Sequence, residues 1–151
     1  MSDNWIVVIP EDPHFVPDEA LQERAVAYLR SIAPKADEVA VRVLDGVQFV
    51  DCGSSFESVA CPACGKEMAI GAWQDWMDED YGGNGIALKA RVMPCCGVSL
   101  TLHNLKYNCA QGFRRFELSA MNPGIGELSD EQREQFEHML GCSVRLIYRH
   151  I

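Results

Sequence analysis

Hydrophobic and polar positions recur along this chain with two periods, and the switches between them mark its elements. The apolar run Trp5-Ile6-Val7-Val8-Ile9 stops at Pro10 and the polar turn Glu11-Asp12-Pro13, which predicts a buried strand. Leu21, Ala25, Tyr28, Leu29 and Ile32 then recur at helical spacing between Pro17 and Pro34. Val39, Val41 and Val43 alternate with polar or small neighbours. Asp45-Gly46 is a tight-turn pair, and Val47 to Val50 resumes an extended pattern, so a hairpin is expected here. The far end repeats this grammar. Phe116, Leu118 and Ala120 alternate within a strand over 113–121, which ends at Asn122-Pro123-Gly124. Ser129 and Gln132 are spaced as a capping box, Phe136, Met139 and Leu140 form a helical stripe, and Gly141 ends it. Val144, Leu146 and Tyr148 alternate in a last strand.

Strand, turn, acid-led helix and strand thus occur twice, over 5–43 and 113–150. That order predicts an α+β chain whose core is a split β-α-β unit of ferredoxin-like type. The core is expected to be discontinuous, from 1–51 and 113–151, with 52–112 as an insert. Six of the seven cysteines lie in that insert. A short helix is predicted over Ala72–Asp80, with Trp73, Trp76 and Met77 on one face. Gly82-Gly83-Asn84-Gly85 breaks the chain, and Ala87 to Val92 is expected to return as a strand.

The cysteines carry the clearest chemistry. Cys61-Pro62-Ala63-Cys64-Gly65 has the spacing of a metal knuckle: a tight turn brings both sulfurs to one ion, and glycine allows the backbone to close. Met93-Pro94-Cys95-Cys96-Gly97 repeats the proline and glycine frame, with methionine where the first knuckle has Cys61. Over about residues 55–102 the chain resembles a zinc ribbon, in which two knuckles at hairpin tips clamp one ion. The resemblance implies a single structural Zn2+ held by Cys61, Cys64, Cys96 and a fourth ligand. Cys95 is the nearest thiol for that place, with His103, Cys109 and Cys52 as rivals. The cysteine spacing is wider than a [4Fe–4S] protein uses, and the strand-to-helix setting of a thioredoxin-type redox pair is missing. A glycine-rich insert buries little apolar surface, so such an ion would supply folding energy directly.

Charge narrows the functions. With 22 acidic and 13 basic residues, the formal net charge is −9, and residues 1–60 hold 11 acids against 4 bases. Lys66, Lys89 and Arg91 are too few for a phosphate-backbone surface, which argues against nucleic acid as the partner. The opening segment lacks a basic n-region and no stretch is long enough to span a bilayer, so the chain is expected to be cytoplasmic and off the membrane. Phosphate-loop, dinucleotide, hydrolase-elbow and metalloprotease motifs are missing, and no catalytic residue is assigned. Trp73, Trp76 and Tyr81, beside Asp75 and Asp78, are the candidate interface for a basic protein partner. Asn104, Lys106, Tyr107, Arg114 and Arg115 are a candidate groove for an anion or other ligand. The expected function is a non-enzymatic, zinc-stabilised adaptor or regulatory protein. A small enzyme using that groove, or a nucleic-acid-binding ribbon, are the alternatives.

Overall fold

A computed structural model describes residues 2–151. In chain order it holds β1 (Asn4–Pro10), α1 (Glu19–Ile32), β2 (Glu38–Val50), β3 (Val59–Ala60), β4 (Glu67–Met68) and α2 (Ile70–Asp80). There follow β5 (Tyr81–Gly82), β6 (Gly85–Ile86), β7 (Arg91–Val92), β8 (Ser99–Leu100), a 3-10 turn at Leu102–Asn104 and β9 (Lys106–Tyr107). β10 (Gly112–Met121), α3 (Asp130–Leu140) and β11 (Val144–His150) complete the chain. The result is a mixed α+β fold built on one large sheet and three small ones.

The large sheet has the order β11-β1-β10-β2, and each neighbouring pair is antiparallel. In β1, Ile6 to Ile9 are buried on both faces of the sheet, which is why this strand reads as an unbroken apolar run. On one face Ile6, Val8, Phe116, Leu118, Ala120, Val144 and Leu146 pack beneath Ala25 and Leu29 of α1 and Phe136 and Leu140 of α3. Burying such side chains contributes about 1.5–3 kcal/mol each. The caps follow the sequence signals: the Ser129 hydroxyl accepts from the Gln132 backbone, and Gly141 adopts φ 73° to close α3.

The hairpin expected at Asp45-Gly46 does not form. β2 is one strand of 13 residues, paired to β10 on both sides of the Asp-Gly pair. Phe116 faces Val43 while Arg114 faces Gln48, so residues 44–47 swell out opposite Arg115 as a bulge. The reason lies elsewhere in the chain. A Cβ on Gly46 would lie 1.5 Å from the Asn84 carbonyl oxygen, and one on Gly85 would lie 2.2 Å from the Val47 oxygen. The β5–β6 tip docks here backbone to backbone, and glycine is needed for the approach rather than for a reversal. Gly46→Ala is therefore expected to push this tip off the sheet and cost about 1–3 kcal/mol. Gly83→Ala, with open space around it, is the control. A urea midpoint that moves equally little in both variants would rule the contact unimportant.

The strand expected over Ala87–Val92 is also cut back, to Arg91–Val92. Leu88 takes a positive φ of 51°, the Asp80 carbonyl accepts from Ala87, and the Asp80 carboxylate accepts from the Lys89 backbone. Side-chain capture of the backbone outcompetes the ladder over these residues.

Candidate metal centre

Two turns with the same hydrogen bonding face each other at the ends of short hairpins. In the first, the Gly65 N–H donates to the Cys61 carbonyl (2.9 Å) and the Cys61 N–H to Lys66 (2.9 Å). In the second, Gly97 donates to Met93 (2.8 Å) and Met93 to Val98 (2.9 Å). Gly65 and Gly97 have φ of 78° and 79°, a region that glycine enters without penalty. Met93 thus occupies the place of Cys61, and both side chains are buried in one apolar cluster with Val59, Trp73 and Leu100. The thioether serves there as core, and the sulfur it does not supply comes from Cys95, at the position of Ala63.

Cys61, Cys64, Cys95 and Cys96 place their four Sγ atoms within 4.8 Å of one another. Cys61 and Cys96 are 3.6 Å apart, and Cys64 and Cys95 are 3.4 Å apart. Four thiolates around a tetrahedral ion with metal–sulfur bonds of about 2.3 Å stand about 3.8 Å apart, so the donor set suits one metal ion. Among the described residues this is the one cluster of metal-ligating groups. Cys61 is buried and Cys95 half-buried, while Cys64 and Cys96 face solvent. The Cys61 thiol is lowered to about 7, chiefly by the Cys64 backbone N–H, against the effect of burial. Cys95 is pushed up to about 12, chiefly by its hydrogen bond to Cys64 and then by burial. Without a cation, the four sulfurs cannot all ionise at this spacing; a bound ion would release their shared protons.

Family models, curated proteins and solved structures yield no match to this chain. The site must be read from its own geometry.

The rival ligands are engaged elsewhere. Cys52 and Cys109 form a disulfide, with Cα atoms 6.4 Å apart, where they join the two crossings between the large sheet and the small ones. His103 is 2% exposed. Its Nδ1 accepts from the Phe113 N–H (3.1 Å), so Nε2 carries the proton and donates to the Glu11 carbonyl (2.8 Å). Arg145 extends the junction: it donates to the carbonyls of His103 and Gln111 and forms a fork with the Glu11 carboxylate. Burial, with the Arg145 charge beside it, lowers His103 to about 4 from an ordinary 6.5. Above 6.5 the ring is neutral whether the chain is folded or not. As pH falls from 6.5 toward 4, the unfolded chain takes up a proton that the native state refuses. About 3 kcal/mol of stability is expected to disappear over that window. Denaturant midpoints between pH 7 and pH 4 check this, and His103→Leu should flatten that part of the profile.

The aromatic interface residues separate. Trp73 is 5% exposed and belongs to the core. Its Nε1 donates to the Tyr107 hydroxyl (3.1 Å), and its ring packs against Phe49, Phe56 and Tyr107. Trp76 is half-buried under the Arg91 guanidinium, 5.0 Å from its ring centre. Tyr81 is 68% exposed. Arg91, unassigned by the sequence pattern, binds Glu79 (2.8 Å) and the buried Asp80 (2.6 Å), tying the end of α2 to β7.

The residues of the candidate groove do not meet. The Asn104 side chain caps its own turn by accepting from the Thr101 N–H and hydroxyl. The Tyr107 hydroxyl donates to the Leu102 carbonyl, and burial raises it to about 12. Lys106 is exposed on β9. Arg115 donates to the Leu44 carbonyl in the bulge. Arg114 lines a cavity on the far face of the large sheet, where it is bonded to Glu117 and the Phe49 carbonyl.

Proposed function

We propose that the four thiols hold one structural zinc ion and that residues 59–107 fold around it as a zinc-ribbon-like module. The chain as a whole is read as a non-enzymatic adaptor or regulatory protein that docks another protein. The gathering of four sulfurs within 4.8 Å at two turn tips is the observation that carries this reading. An all-sulfur donor set favours zinc over the hard cations magnesium and calcium. Sulfurs so close together leave no space between them for a multi-iron cluster. Sulfurs on backbone turns, with no histidine or carboxylate joining them in the cluster among the described residues, support a structural role. The strand order β11-β1-β10-β2, with a helix before the second and fourth long strands, supports a split β-α-β core divided at about residues 51 and 113.

The partner reading rests on the outer side of the module. Helix α2 contains no basic residue; Asp75 and Asp78 are exposed on it, Ile70 (43%) opens it and Tyr81 (68%) follows it. Exposed apolar side chains at the two ends of an acidic helix suit a basic protein surface. Elemental analysis of protein purified without added metal tests the first half, with about one zinc per chain expected. Crosslinking of the native-lysate complex tests the second. Crosslinks from a basic protein to α2, lost in a Tyr81→Ala and Ile70→Ala double variant, are expected. Retention of the partner by that variant would remove the interface reading.

A further inference from the structure

The two edges of the large sheet differ. Antiparallel strands turn the backbone of alternate residues toward each neighbour. The Asn122 N–H donates to the Asn4 carbonyl, so even-numbered residues of β10 bond β1 and odd-numbered ones bond β2. Met121, Ser119 and Glu117 lie opposite Glu38, Ala40 and Arg42. The backbone groups of Val39, Val41 and Val43 therefore face outward. They make no hydrogen bond among the described residues, and β2 has no second neighbour in the sheet. The other edge, β11, is closed at both its ends. The His150 N–H donates to Cys52, the His150 carbonyl accepts from Ser54, and the Val144 N–H donates to the Glu137 carboxylate. An open, valine-rich edge is a template for another strand. Here it is bounded by the turn out of α1 on one side and by the bulge at 44–47 on the other.

The charges along this edge are self-complementary. Glu38 and Arg42 stand two positions to either side of Ala40, and both are exposed. Arg42 has Glu117 at 3.8 Å in its own chain, where Glu117 is also bonded to Arg114. Glu38 has no ion-pair partner among the described residues. An antiparallel copy with its Ala40 opposite this Ala40 sets each Glu38 across from the partner's Arg42. Val39 and Val41 then meet the partner's Val41 and Val39 as hydrogen-bonded pairs. The charged residues fall between them, on the positions where side chains approach more closely. A slip of two residues in either direction loses both charge pairs. Lys35 and Asp45, exposed and each five positions from Ala40, match in the same register. The adjoining flank of α1 has the same order: Glu23, then Val26 and Ala27, then Arg30, around a shallow cavity that Val41 also lines. A two-fold axis through the strand seam turns Glu23 toward the partner's Arg30 as well.

We propose that this edge pairs with the same edge of a second copy of the chain, joining two four-stranded sheets into one of eight strands. The contact is isologous, so it closes at the dimer and leaves no β2 edge open. It buries a modest area, so monomer and dimer exchange reversibly.

Sedimentation equilibrium of the full chain, from micromolar to millimolar concentration, is expected to show a monomer–dimer equilibrium. Hydrogen exchange on the same samples should slow at Val39 and Val41 as concentration rises. Ala40, already bonded to β10, should not respond. Glu38→Arg sets arginine across from arginine at both ends of the seam and should weaken the dimer at least about tenfold. Glu38→Arg combined with Arg42→Glu restores both pairs with signs exchanged and should recover it. Because Arg42→Glu brings a carboxylate near Glu117, Val41→Pro is a further variant. It removes only an outward N–H and should give a folded monomer. A chain that stays monomeric at every concentration overturns the proposal. So does a dimer untouched by Glu38→Arg and Val41→Pro, or a folded charge-swapped variant that stays monomeric. The Ile70→Ala, Tyr81→Ala chain keeps the seam and should dimerise as the unmodified chain does, so this contact and the α2 interface are read apart.

Discussion

Cys96→Ser is expected to abolish metal retention and to unfold residues 59–107 while the four-stranded sheet persists. The small sheets here have strands of two residues, far below the length at which pairing sustains itself. Their apolar cluster borrows Val47 and Phe113 from the large sheet, and it cannot be closed by the module's own side chains. A structural thiolate site is worth about 10–16 kcal/mol of apparent binding energy near neutral pH, much of it expressed as folding. A strong chelator should therefore reproduce the variant: circular dichroism loses part of its amplitude, and proteolysis opens the segment around Gly82–Gly85. The large sheet, packed under α1 and α3, should melt in a separate step. Intact metal content in Cys96→Ser, or a chelated protein that resists protease as well as the untreated one, would refute the assignment.

The Cys52–Cys109 bridge gives the second large effect. It closes a loop with a sequence separation of 57, and restricting the unfolded chain by that much is worth about 4 kcal/mol. The Cys52→Ala, Cys109→Ala double variant is expected to lose about that amount relative to the oxidised protein while keeping its metal. Guanidinium titrations with and without a dithiol reductant check this, because reductant should lower the unmodified chain to the level of the variant and leave the variant where it is. A reductant that changes neither would show that the bridge constrains nothing.

How much of this was legible depends on how local each determinant is. The helices and outer strands follow from side-chain periodicity within each segment, and the knuckle cysteines from turn residues adjacent to them. Pairing of Cys52 with Cys109 was not legible, since the two lie 57 positions apart and nothing local to either says which thiols the topology brings together. Asp45-Gly46 misled for a similar reason: its conformation is decided by Asn84, 38 positions away, whose carbonyl occupies the space a side chain would need. Arg114 and Arg115 were grouped because they are adjacent, yet neighbours on a strand face opposite ways. One lines the cavity and the other braces the bulge. Met93 resisted reading in another way, since methionine at a knuckle position looks like a lost ligand until its burial shows it to be part of the core.

The contact at Gly46 has a mechanical consequence. The module leaves the large sheet after Val50 and returns at Gly112, and these two residues are paired neighbours on β2 and β10. A body attached through two adjacent strands can swing about them as a door swings on its jamb. Asn84 against Gly46 adds a backbone contact away from these crossings, and together with the apolar cluster that takes in Val47 and Phe113 it fixes an orientation. Without it the lobe that carries the four cysteines would depend on that shared core and the strand crossings alone for its bearing relative to the sheet.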